Sequence, residues 1–192
     1  MPSPLPIEDR IERAAQLVLR SRIFFDIWFY FEGADTRPHL LDTMNEFSEF
    51  FRFAPHAHFV AFVVSVAALF EKRRDTITLP ALSREMARAG MLSPQAYSEV
   101  EALISHAEPL AGKVTILRHN AFAHRSARIS YDDIFKAAAI TPAQMRELTE
   151  IALKVANALL RARGHQEQFF NELAREDAET MMRVLQSATH NG

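Results

Sequence analysis

Apolar residues recur along most of this chain at intervals of three and four, the spacing that lines one face of an α-helix. Ile7, Ile11, Ala15 and Val18 begin such a stripe, which thickens into Phe24, Phe25, Ile27, Trp28, Phe29, Tyr30 and Phe31, where apolar residues surround the axis. The pattern predicts a first helix that ends deep in a core or in an interface and is stopped by Gly33-Ala34-Asp35. A second helix is predicted from about Pro38 to Arg52, with Pro55 forcing a break, because proline removes a helical hydrogen bond and clashes with the preceding turn. A third, from about Ala57 to Arg74, is apolar on nearly all sides until Glu71-Lys72-Arg73-Arg74-Asp75 returns the chain to water, which marks it as a central helix.

Later helix starts are announced by capping residues. Thr78 before Pro80, Ser93 before Pro94 and Thr141 before Pro142 each set a hydroxyl ahead of a proline that the first helical turn accepts. The helix opened by Thr78 closes at Gly90. From Pro94, the positions Tyr97, Val100, Ile104, Ala107, Ala111, Val114 and Leu117 trace one long helix to about His124, with Pro109 and Gly112 weakening its ladder. A short helix from Tyr131 to Ala139, a longer one from Pro142 to Gly164, and a last amphipathic helix before a frayed tail from Ser187 to Gly192 complete the pattern. No repeat, low-complexity tract or flexible linker divides the chain. The expectation is an all-α fold, a single-domain helical bundle over residues 1–192 with its core at about 7–186 and about seven to eight helices.

Composition narrows the chemistry. The 192 residues contain no cysteine, which removes disulfides, thiolate metal sites, iron–sulfur clusters and thiol nucleophiles together. Twenty-two Lys and Arg against twenty-four Asp and Glu leave a net charge of −2, so any contact with a polyanion must be local. Eighteen of those cations are Arg, the side chain suited to phosphate and carboxylate forks. The longest apolar run, Phe59 to Phe70, contains Ser65 and is about 12 residues. That is well short of the roughly 20 that cross a bilayer, so no membrane partner is expected. The first residues have neither a basic n-region nor an apolar h-region, and a cytoplasmic protein is expected. Fifteen Phe remain to be explained. Phe24 to Phe31 with Phe47, Phe50, Phe51 and Phe53 offer more apolar surface than one small core easily absorbs, and suit either an aromatic-filled core or a homodimer interface.

The most informative stretch is Leu117-Arg118-His119-Asn120-Ala121-Phe122-Ala123-His124-Arg125-Ser126, at the end of the long helix. Cleaving RNA without a metal needs a proton moved at the 2′-hydroxyl or the 5′-leaving oxygen, a task for His124 near neutral pH. It also needs cationic donors on the phosphate as charge develops, which Arg118 supplies. At about 100° per residue, these two lie roughly 120° apart around an α-helix and flank a groove. Asn120 and His124, four apart, share a face, where the amide can orient the imidazole or take a phosphate oxygen. The same residues also suit a helix C-terminus that gathers cations against its dipole. Arg–His pairs with four to six residues between them arise by chance: Arg52 and His58 form one with Pro55 between them, and Arg183 and His190 form another in the tail. Only the Arg118 to His124 pair combines an uninterrupted helix with an interior Asn and a small residue, Ala123, before the His.

Arg118-His119-Asn120-Ala121-Phe122-Ala123-His124 resembles the Arg-polar-x4–6-His signature of HEPN domains, helical bundles of higher eukaryotes and prokaryotes. Upstream, Phe62 to Leu69, then the charged turn Phe70 to Asp75, then Thr76-Ile77-Thr78-Leu79-Pro80-Ala81-Leu82, resembles the abortive-infection U-type branch. The resemblance covers residues 56 to 130. It implies a metal-independent endoribonuclease site with no cofactor, often built at a dimer interface, in proteins of phage defence or toxin–antitoxin modules. By that resemblance Arg118 holds the scissile phosphate and His124 is the acid/base, with Asn120 in the catalytic set and His119 and Arg125 touching RNA. Here His119 takes the usual polar position and the Asn follows one residue later. The implied partners are RNA, a second copy of the chain, and an antitoxin or other protein. HEPN domains that are non-catalytic binding modules supply the alternative reading.

Other constellations carry less. His56-x-His58 near Glu46 and Glu49 reads as a turn and not as a metal site. Lys72-Arg73-Arg74 reads as a solvated turn with RNA backbone as a second use. Ser65 and Ser105 have no nucleophile-elbow pattern around them.

Overall fold

The computed structural model describes residues 5–73, 76–123 and 131–190. Among these residues there are eight α-helices and no strand, in keeping with the all-α expectation. They are α1 (Ile7–Glu32), α2 (Leu41–Glu46), α3 (Ser48–Leu69), α4 (Leu79–Arg88), α5 (Pro94–Leu117), α6 (Tyr131–Ala138), α7 (Pro142–Ala162) and α8 (Leu173–His190).

The predicted caps do what their chemistry allows. Thr78 Oγ1 accepts from the Ala81 amide, Ser93 Oγ from Ala96, and Thr141 forms a reciprocal capping box with Gln144. The C-cap of α1 takes a glycine, Gly33, because a side chain has no room there: a Cβ would stand 2.6 Å from the Phe29 carbonyl oxygen, which accepts from the Gly33 amide.

Pro55 does not break the chain as expected. One helix, α3, runs through it, and the break falls at Phe47, so the predicted helix from Pro38 to Arg52 is replaced by the six-residue α2 and the first turns of α3. His58 Nδ1, 2.7 Å from the Ala54 carbonyl oxygen, supplies a side-chain partner within the proline-containing turn. His56 and His58 therefore lie in a helix and not in a turn. The continuous helix is 22 residues, long and apolar enough by those criteria to cross a bilayer, which the run of 12 was not. Packing accounts for its inner face: Phe51, Phe59, Phe62, Val63, Val66 and Leu69 are buried. At the other end of the chain α8 continues through Ser187 to His190, where fraying was expected.

α1 packs along α3 on one side and α7 on the other, with α5 against α7 and α3. Phe25, Phe62, Leu69, Leu82, Leu117, Leu148 and Leu159 are fully buried in the main core. A smaller cluster, Tyr30, Phe31, Leu40, Met44, Phe51, Ala178 and Met182, seats α8 against α2 and the end of α1. The Phe surplus is thus divided. The aromatics of α1 enter the cores, Phe25 packing on Phe29 and Phe62, whereas Phe47, Phe50 and Phe53 stay exposed.

A polar node pins α1 to α7. Arg22 Nε is 2.9 Å from both Asp26 oxygens, its guanidinium stacks 4.7 Å from the Phe170 ring, and Arg146 of α7 reaches Asp26 at 3.7 Å. Burial raises the Asp26 carboxyl above its usual range, outweighing both guanidinium groups, which lower it. The native state then holds the proton more readily than the unfolded chain does, so this group's stabilising contribution is complete below pH 3.8 and is lost as pH rises through the raised native value. Urea unfolding of wild type and Asp26→Asn across acidic pH is expected to show the wild type losing ground to the variant as pH rises.

Candidate active site

The site forms where two core helices end together. α3 stops at Leu69, Phe70 closes it, and Glu71 is the first carboxylate beyond its apolar length. α5 holds regular winding to Leu117, anchored nearby by Lys113, whose ammonium donates to the Ala139 carbonyl at 2.9 Å and to Gln144 Oε1 at 3.1 Å. From Arg118 to Ala123 the helix widens to i→i+5 winding, a form that is rare and frequent at functional sites. A wider turn spends fewer degrees on each residue, so the 120° reckoning from ideal α-helix does not apply beyond Leu117. Asn120 suits the altered winding. Its Nδ2 donates to the Ile116 carbonyl at 3.0 Å, the acceptor its own backbone amide would take in an α-helix.

Arg118 forms an ion pair with Glu71 through Nη1 and Oε1. The pair is largely enclosed, with side-chain exposures of 22% for Arg118 and 15% for Glu71. A guanidinium carries five N–H donors in a planar fork, so a carboxylate on one nitrogen leaves others for a second anion. The pair lies in the wall of a cleft of about 930 Å³ between the end of α3, the start of α4 and the last turns of α5. Phe70, Ile104 and Pro109 give the cleft an apolar portion, and Lys72, Arg73 and the exposed His119 add cationic or proton-carrying groups.

Of the residues read from the sequence, Arg118 and His119 line this one cleft. Asn120 spends its amide nitrogen on the backbone of α5. His124 and Arg125 lie outside the described residues. The competing Arg52 and His58 pair does share a continuous helix, contrary to expectation, and different contacts engage them. Arg52 stacks over Phe53 at 5.5 Å, and His58 meets the Ala54 carbonyl and the edge of Phe24. Glu71 is the residue that sequence reasoning passed over as part of a charged turn. The signal was its position, one residue after the cap of an apolar helix, where a carboxylate cannot escape the core rim.

The family model for the HEPN family AbiU2 matches residues 5–181. The chain belongs to that family. The match runs from before α1 well into α8, wider than the 56 to 130 carried by the motif and the charged turn. No curated protein and no solved structure gives a significant match. In this AbiU2-type HEPN chain, the seat of Arg118 against Glu71 makes the junction of α3 and α5 an energetic as well as a chemical feature. Removing the carboxylate leaves an enclosed guanidinium without its counter-charge, so Glu71→Ala is expected to lower stability by about 1–3 kcal/mol in urea unfolding. An unchanged midpoint would show that the pair does not secure this junction.

Proposed function

We propose that this chain is a metal-independent endoribonuclease of the HEPN type, acting in phage defence or in a toxin–antitoxin module. The observation that carries the reading is a signature Arg held by a carboxylate in the wall of an open cleft, on a helical segment of altered winding. In the proposed reaction the RNA 2′-hydroxyl oxygen bonds to the adjacent phosphorus and the bond from phosphorus to the 5′-oxygen breaks. His124 moves the proton, taking it from the 2′-hydroxyl or giving it to the leaving 5′-oxygen. Arg118 steadies the phosphate oxygens as negative charge builds, a stabilisation that is strong because the guanidinium is fixed beforehand. The products are a 2′,3′-cyclic phosphate and a 5′-hydroxyl. His119 and Arg125 complete the proposed RNA contacts.

One observation favours the alternative, a non-catalytic module binding a protein or nucleotide partner: Glu71 already neutralises Arg118. The two readings part in a cleavage assay with EDTA present. Wild type is expected to cut RNA with the stated end groups, and Arg118→Ala and His124→Ala to lose at least about a hundredfold in rate, in line with general acid–base and electrostatic contributions. Binding without cleavage, undiminished in His124→Ala, supports the module instead.

The active form is proposed to be a homodimer through the outer face of α3. Phe50, Phe53, Ala57, Val60 and Val64 follow one another at intervals of three and four, the seam of a coiled coil. Phe50 and Phe53 are each 58% exposed and Val64 39%. Sedimentation of wild type is expected at twice the chain mass of 21.8 kDa, and of Phe53→Glu with Val64→Glu at the chain mass. A monomeric wild type removes this interface.

A further inference from the structure

We propose that the arginines of α4 extend the site into a track for the phosphates of a single-stranded RNA, running from Arg118 across the end of α3 to Arg84 and Arg88. The proposal rests on the ribonuclease reading for its starting point at Arg118. It rests on separate geometry for its course.

A second hollow, of about 890 Å³, adjoins the cleft at Arg118. The two share Glu71, Lys72, Arg73, Pro80 and Glu108, so they form one continuous trough. At its far end stand Arg84 and Arg88 on α4, both exposed. They are one helical turn apart, about 6 Å along the axis, comparable to the separation of neighbouring phosphates in an extended strand.

The carboxylates in the trough do not cancel this end. Glu85 is engaged on both oxygens by Arg10, at 2.5 and 2.7 Å, an arrangement that lowers its carboxyl below the usual range. Glu71 is paired with Arg118, and Glu108 lies 3.8 Å from Lys72. Arg84 gives its Nε to the Pro80 carbonyl, at 3.0 Å, and no described residue is a polar partner of its terminal nitrogens. No described residue is a polar partner of Arg88. The free donors therefore collect along α4, on the side leading to Arg118.

An RNA strand suits this surface better than an acidic protein face. The trough combines spaced cations with the rings of Phe70 and His119 and the apolar flanks of Ile104 and Pro109, and a single strand carries phosphates and stacking bases in the same alternation. A duplex, with its bases stacked inside, offers nothing to the apolar part.

The test is binding of a fluorescent, mixed-sequence single-stranded RNA carrying 2′-O-methyl groups, which cannot be cut through the 2′-oxygen. Anisotropy is read at several salt concentrations for wild type, for Arg84→Ala with Arg88→Ala, and for a charge-matched control, Arg20→Ala with Arg183→Ala, on α1 and α8. The α4 variant is expected to bind on the order of tenfold more weakly and to lose roughly 0.7 from the salt slope for each phosphate contact removed, while the control keeps the wild-type slope. Equal affinity and slope in wild type and the α4 variant overturn the track, as does failure of wild type to bind the strand or an equal loss in the control. Native RNA that stays intact while the α4 effect on binding persists sinks the ribonuclease reading and leaves the track standing.

Discussion

The ion pair between Glu71 and Arg118 is the constraint on which the end of the bundle that carries the candidate site depends. It joins the first polar residue after the core helix α3 to the first residue of altered winding after α5, so the two helices cannot end independently. Enclosed as it is, the pair has lost much of its hydration, and each charge needs the other or a replacement of the same sign. A phosphate is such a replacement for the carboxylate. On the proposed function, the pair that joins the two helix ends is also what readies Arg118 for an anion entering the cleft.

The same logic of partly met demands applies to α3. Its inner face is satisfied by α1 and the main core, yet its outer face keeps an apolar seam from Phe50 to Val64. A helix apolar on nearly all sides is expected to be covered all round. In this chain the covering is half supplied, which is why the proposed dimer interface is placed at α3 and not at α1.

Much of the fold was legible because its signals are local. Thr78, Ser93 and Thr141 announce helix starts by chemistry that acts within four residues, and Gly33 marks the end of α1 at a position with no space for a side chain beside the Phe29 carbonyl. Pro55 misled for a related reason. A proline costs a helix one hydrogen bond locally, but the burial of Phe51, Phe59 and Phe62 on one face of α3 is a tertiary term that outweighs it. In the candidate site, Arg118 was legible from its motif and Glu71 was not, since the two are 47 positions apart and only the packing of α3 against the end of α5 makes them neighbours. Asn120 was placed by its spacing on a face with His124, and its bond to the Ile116 carbonyl, made from the widened turn, was not legible from that spacing.

What remains decisive is whether Arg118 changes partner when RNA enters. The side-chain Nε–Hε resonance of Arg118, assigned by comparison with Arg118→Lys, reads this directly during titration of labelled protein with the uncuttable RNA. A phosphate seated at Arg118 shifts that resonance with the same half-saturation as RNA binding. RNA that saturates the protein while the resonance stays in place would contradict a nucleic-acid site at this cleft.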